Sequence, residues 1–137
     1  MENGIRPPNI TNNMTLLMLG RHLELGHYRV EFLKSHGFNV IFPESRQAAI
    51  EAIGRGGFDA VILSYSLSDE TLKELVELVE QVCPKCPLIS ITEHRWHDSV
   101  VRPDATVLAS DPPQSLLDAI HRVQPRGNSK SGMRRVK

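Results

Sequence analysis

Five short apolar runs, separated by segments of helical periodicity, constrain this 137-residue chain more than any other feature. The runs are 14–19 (MTLLML), 38–42 (FNVIF), 60–63 (AVIL), 88–92 (LISIT) and 106–109 (TVLA). They are mostly continuous rather than alternating, as expected of strands covered on both faces. The first intervening helix spans 23–36, with Leu23, Tyr28, Val30, Phe32 and Leu33 as inward candidates and Gly37 as its stop. Ser45 caps the second, whose Ala48, Ala49, Ala52 and Ile53 share a face before Gly54, Gly56 and Gly57. In the third, Thr71 and Glu74 have capping-box spacing. Leu72, Leu75, Val76, Leu78, Val79 and Val82 form its stripe, and Pro84 and Pro87 close it. The last helix, 115–123, turns Leu116, Leu117, Ile120 and Val123 inward. Strand and helix in alternation imply an α/β fold with a parallel sheet and helices on both faces. Five strands with single-helix crossovers favour the flavodoxin-like doubly wound order 2-1-3-4-5.

The length suits one domain, expected over 14–124, between a flexible N-terminal segment at 1–13 and a disordered basic tail at 125–137. A zero net charge conceals an asymmetry: the tail holds five bases and no acid, and 14–124 holds ten bases against fifteen acids. This limits any nucleic-acid contact to weak, salt-sensitive attraction at the tail. No apolar run reaches the roughly 18 residues of a membrane span, so no membrane contact is expected. The first residues lack a signal-peptide pattern, which gives a cytoplasmic address and two reduced, partly buried thiols at Cys83 and Cys86.

In a doubly wound sheet, function lies at the carboxyl ends of the strands. That edge collects Gly20-Arg21-His22, Pro43-Glu44, Ser64-Tyr65-Ser66, Thr92-Glu93-His94 and Ala109-Ser110-Asp111. The third strand and its loop (FDAVILSYSLSD), the fourth strand ending in threonine (PLISIT) and the closing DPPQSLLDAIHRV resemble a CheY-like response-regulator receiver domain. The resemblance covers 14–124. It implies a phosphoacceptor aspartate after the third strand, an acidic pair that helps hold magnesium, and a threonine and a lysine that contact the phosphoryl group. Those positions fall on Ser64 for the acceptor, Gly20 and Arg21 for the acidic pair, Thr92 for the threonine and Ala109 for the lysine, or Ser110 if the loop is counted one residue longer. The aromatic switch position falls on Thr106. Only the threonine is kept.

Magnesium needs hard oxygen ligands, and Gly20, Arg21 and Ser64 supply one hydroxyl and one cation. Serine without a neighbouring base is a poor nucleophile, and neither metal nor lysine would offset transition-state charge. Aspartyl phosphorylation is therefore not expected, and neither a cofactor nor a metal is assigned. Thirteen residues between Thr92 and Thr106 leave room only for a shortened fourth helix.

Other constellations are weaker. Cys83, Cys86, His94 and His97 mimic a zinc set, but the seven residues from Cys86 to His94 are mostly strand, which puts the pairs roughly 20 Å apart. His94 and His97, beside Glu93 and Asp98, are read as solvated loop residues, with metal binding or pH sensing the alternative. Trp96 packs over the sheet end or anchors a partner. Arg21 either pairs with Asp69 or Glu93 in place of the cation or points into water.

The expectation is a degenerate receiver-like module that is not an enzyme and acts through an unidentified protein partner in signalling. Two alternatives remain. One is a small-molecule or anion sensor at the same loops, contacted by Arg21, Ser64 and Thr92. The other is a phosphorelay receiver that uses Asp69 as acceptor.

Overall fold

The first apolar run forms β1 (Thr15–Leu19) at the second position of a five-stranded parallel sheet of order β2-β1-β3-β4-β5, in a computed structural model that describes residues 14–93 and 102–123. The other strands are β2 (Asn39–Ile41), β3 (Ala60–Ser64), β4 (Leu88–Thr92) and β5 (Ala105–Leu108). The expected strand order holds. All residues of β3 and β4 are buried, which accounts for their unbroken apolar sequence. The shortened fourth helix falls largely outside the described residues, as do the terminal segments, His94, Trp96 and His97.

Among the described residues four helices cover the sheet: α1 (Glu24–Ser35), α2 (Arg46–Arg55), α3 (Asp69–Val82) and α4 (Pro113–Arg122). Helices α2 and α3 pack on one face over Leu17, Leu19, Val61 and Leu63. Helices α1 and α4 pack on the other over Leu16, Met18, Ile62, Ile89 and Ile91. The division follows the two-residue period of a strand, which sends neighbouring side chains to opposite faces.

Two aspartates set the register at the amino-terminal edge. Asp59 Oδ2 accepts the Thr15 amide at 2.8 Å, and the Asp59 amide donates to the Thr15 carbonyl at 2.7 Å. Asp104 repeats the arrangement with Leu88, at 2.8 and 2.7 Å. Each aspartate precedes the alanine that opens its strand.

Several details differ from the sequence expectations. Leu23 and Tyr28 are exposed, not inward. Val30 and Leu33 set the buried stripe of α1, and Tyr28 lies two residues, about 200°, around the helix from Val30. Val82 is exposed in the last turn of α3. Ser68, not Thr71, caps α3: its hydroxyl accepts the Thr71 amide at 3.2 Å. Glu74, placed by the expected capping box at the helix start, instead forms a two-pronged ion pair with Arg46 of α2, with Nε–H donating to Oε1 at 2.9 Å and Nη2 bonded to Oε2. β5 starts and ends one residue earlier than expected, which leaves Ala109 just beyond it, and α4 begins at Pro113.

Cys83 and Cys86 are joined by a disulfide, with Cα atoms 5.5 Å apart, which corrects the expectation of two reduced thiols. The turn after α3 brings the sulfurs together, because the Cys86 amide donates to the Cys83 carbonyl at 3.1 Å. Gly37, with φ of 92°, and the Ser45 cap, accepting the Ala48 amide at 3.0 Å, form as the sequence implies.

Candidate functional site

The carboxyl ends of β1 and β3 lie side by side and bring Gly20 against Ser64. A Cβ at Gly20 would stand 2.8 Å from the Ser64 Cβ and 3.3 Å from the Ser66 Oγ. Real Cβ atoms do not approach that closely, so the site accepts glycine because it has no side chain. Ser64 ends β3 and is 8% exposed.

Ser64 and Ser66 satisfy each other. Their hydroxyl oxygens are 3.0 Å apart, and the Ser66 amide donates to the Ser64 Oγ at 3.2 Å. The Arg21 amide donates to the Ser66 Oγ at 2.9 Å, which ties the β1–α1 loop to the β3–α3 loop. The region is a closed hydrogen-bonded knot. Its parts do not fit magnesium: a carboxylate stem at position 20 would collide with Ser64, position 21 supplies a cation, and Ser64 is a neutral donor–acceptor.

Thr92 is 4% exposed at the end of β4, where its carbonyl accepts the Ala109 amide at 2.7 Å. Ala109 therefore reaches the same edge, on the far side of β4 from Ser64. Asp69 is exposed in the first turn of α3, where a carboxylate complements the helix dipole. Glu93 is exposed after β4. Arg21 is exposed, and its guanidinium makes no hydrogen bond or ion pair among the described residues, with Asp69 and Glu93 included. Among the described residues, then, Arg21 pairs with neither Asp69 nor Glu93. His94 and Trp96 lie outside the described residues.

Two further residues act at this edge: Arg29, which the sequence pattern does not single out, and His22, which lies in one of the loop segments collected there. Arg29 reaches from α1 to the Ala109 carbonyl, with Nη2 3.4 Å away. Burial lowers its pKa from the ordinary arginine value, and Tyr65 acts in the opposite sense. Its proximity to Val30 on the inward side of α1 was the available signal. His22 stacks on Phe42 with ring centroids 3.7 Å apart, and its Nε2 lies 3.0 and 2.9 Å from the Phe42 and Pro43 carbonyls. Carbonyls only accept, so Nε2 carries the proton. His27 meets both rings edge-on.

Between the loops after β1, β2 and β3 opens a cleft of about 450 Å³. Leu19 and Leu75 contribute apolar walls, and Arg21, Glu44, Ser66 and Ser68 contribute polar ones. It lies at the switch point of the sheet, between β1 and β3, where ligands of doubly wound folds bind.

No protein-family model and no curated protein sequence matches the chain. Solved structures do. The chain is similar to a two-component response regulator from Clostridium difficile, at 19% identity over 85% of this chain and 100% of that one, with a TM-score of 0.71. It is similar to the chemotaxis response regulator CheY4 of Vibrio cholerae, at 17% identity over 82% and 99%, with a TM-score of 0.71. It is also similar to a response regulator receiver protein from Sinorhizobium medicae WSM419, at 21% identity over 82% and 95%, with a TM-score of 0.65. The strand order, the helices on both faces and these likenesses together give the chain the flavodoxin-like, CheY-like fold of response-regulator receiver domains.

Proposed function

We propose that this chain is a receiver-like signalling module that works by being bound, without aspartyl phosphorylation and without catalysing a reaction. The observation that carries the proposal is the packing of Gly20 on Ser64. It removes the acceptor and the first metal-ligand position together, and fills the space between them with hydroxyl groups that already bond one another. Exposed Leu23, Leu25 and Tyr28 at the start of α1 support a protein partner, because large apolar side chains grouped on a surface favour association.

The test is incubation with acetyl phosphate and magnesium, followed by intact-mass spectrometry. No phosphoryl adduct is expected. A magnesium-dependent adduct would overturn the proposal, and one mapped to Asp69 would establish that residue as the acceptor.

A second reading, a small anionic ligand in the cleft, is favoured by one observation: Arg21 lines the cleft with its guanidinium unpaired among the described residues. Calorimetric titration with inorganic phosphate, repeated on Arg21→Ala, checks it. Heat that disappears in the variant supports a ligand, and absence of heat in the unmodified protein rejects phosphate as that ligand.

A further inference from the structure

The candidate site leaves unused the only disulfide among the described residues, which lies at the opposite edge of the sheet. Cys83 caps the carboxyl end of α3, and Cys86 precedes Pro87 and β4. Only Pro84 and Lys85 lie between the two cysteines.

Three features bear on what this pair does. First, the turn has backbone hydrogen bonds of its own besides the S–S bond. The Cys83 amide donates to the Val79 carbonyl at 2.7 Å and the Cys86 amide to the Cys83 carbonyl at 3.1 Å, and neither bond uses a sulfur atom. The ring closed by the bond is also very short, and a short loop constrains the unfolded chain less than a long one does. Second, the two sulfurs differ in access. Cys86 is 8% exposed within the α2–α3 core cluster, whereas Cys83 is half-buried at its margin. Third, Cys86 has an acceptor in place. Its Sγ is 3.4 Å from the Phe58 carbonyl oxygen. A disulfide sulfur has no proton to give, but a thiol there donates to that carbonyl, so reduction leaves no buried donor unsatisfied.

We infer that Cys83–Cys86 is a reversible thiol–disulfide exchange site of the folded protein, entered at Cys83 by a small dithiol reductant. The thiolate of the reductant attacks Cys83 Sγ. The S–S bond breaks and its electron pair leaves on Cys86 Sγ, which takes a proton and donates to the Phe58 carbonyl. The second thiol of the reductant then attacks its own sulfur in the mixed disulfide. This closes the oxidised reductant and releases Cys83 as a thiolate that solvent protonates. Overall the protein gains two electrons and two protons, and the dithiol becomes a cyclic disulfide. The helix end matters here. A helix amino terminus stabilises a thiolate, whereas Cys83 sits at a carboxyl end, which disfavours one. The pair is therefore suited to holding an oxidation state rather than to passing electrons on rapidly.

The experiment uses the full chain, oxidised with glutathione disulfide and then treated with dithiothreitol without denaturant. Free thiols are trapped with iodoacetamide and counted by intact mass, while near-ultraviolet circular dichroism follows the fold. The expected result is no alkylation of the oxidised protein, two alkyl groups after reduction, and an unchanged spectrum. The melting temperature should shift by no more than about 10 °C between the two states. Reduction that proceeds only in denaturant would overturn the inference, as would persistent glutathione adducts or covalent dimers in place of the internal bond. Two single variants test the point of entry. The remaining thiol of Cys86→Ser, which is Cys83, should alkylate at least ~10-fold faster than the remaining thiol of Cys83→Ser, since access governs thiol reactivity. Equal rates would reject Cys83 as the exposed sulfur.

Discussion

Gly20 decides more about this site than any residue with functional groups. A methyl group there meets the Ser64 Cβ at 2.8 Å, and both belong to backbone segments held by neighbouring strands. Gly20→Ala is expected to destabilise the fold by about 1–3 kcal/mol, the usual cost of overpacking, as read by denaturant melts. An aspartate placed at position 64 should be tolerated poorly for a related reason. Ser64 is buried beside Gly20, so Ser64→Asp places a carboxylate where no cation is bonded to it. A loss of more than ~2 kcal/mol is expected, with no gain of phosphorylation. Coupling between Ser64→Asp and Arg21→Ala, measured by a double-mutant cycle, should be near zero, because Arg21 is exposed and bonds this knot through its backbone amide. A strong favourable coupling would show that the guanidinium swings inward.

Helix ends and strand ends hold the elements in register. Ser68→Ala removes the cap of α3 and should cost about 1 kcal/mol, with Glu74→Gln leaving that cap intact. Glu74 instead joins α3 to α2: Arg46, by hydrogen bonding first and charge second, holds its carboxyl below the ordinary carboxylate range. The folded state therefore binds fewer protons there than the unfolded chain. The stability lost in Glu74→Gln should be greatest above the ordinary glutamate range and should decline as pH falls through the lowered folded value. Both partners are solvent-exposed, so the effect should be small and should shrink with added salt. Melts of the unmodified protein and the variant across acid pH at two salt concentrations check the sign. Asp59→Ala and Asp104→Ala each delete a carboxylate that accepts a neighbouring strand's amide, and each should cost about 1 kcal/mol.

For the whole molecule, the sheet gives two cores of different partnership, one under α2 and α3 and one under α1 and α4. Ile62, in the central strand and fully buried, belongs to the second. Ile62→Ala should cost about 2–5 kcal/mol, the range for emptying a buried aliphatic site, in equilibrium unfolding. We propose residues 14–124 as the folding unit. Removing 125–137 should leave the melting temperature unchanged, since a segment so poor in apolar residues buries little. The carboxyl edge of the sheet and the disulfide lie at opposite ends of α3, and Cys86 also abuts β4 and the core under α2 and α3.

The architecture was readable from the chain alone. The unbroken apolar runs of β3 and β4 demanded cover on both faces, and the helical periods between strands left a parallel crossover as the way to provide it. The ends of the strands at Gly20, Ser64 and Thr92 were readable too, because period and turn chemistry are local. Which of those residues meet was settled in three dimensions. That Gly20 touches Ser64 depends on β1 lying beside β3, and the bond from Arg21 to Ser66 spans 45 residues. The same holds for Arg29 at Ala109, for Glu74 on Arg46 rather than on its own helix start, and for the exposure of Tyr28. A residue's pattern tells which way its element faces, but contact energies between elements act through space, and those chose the partners.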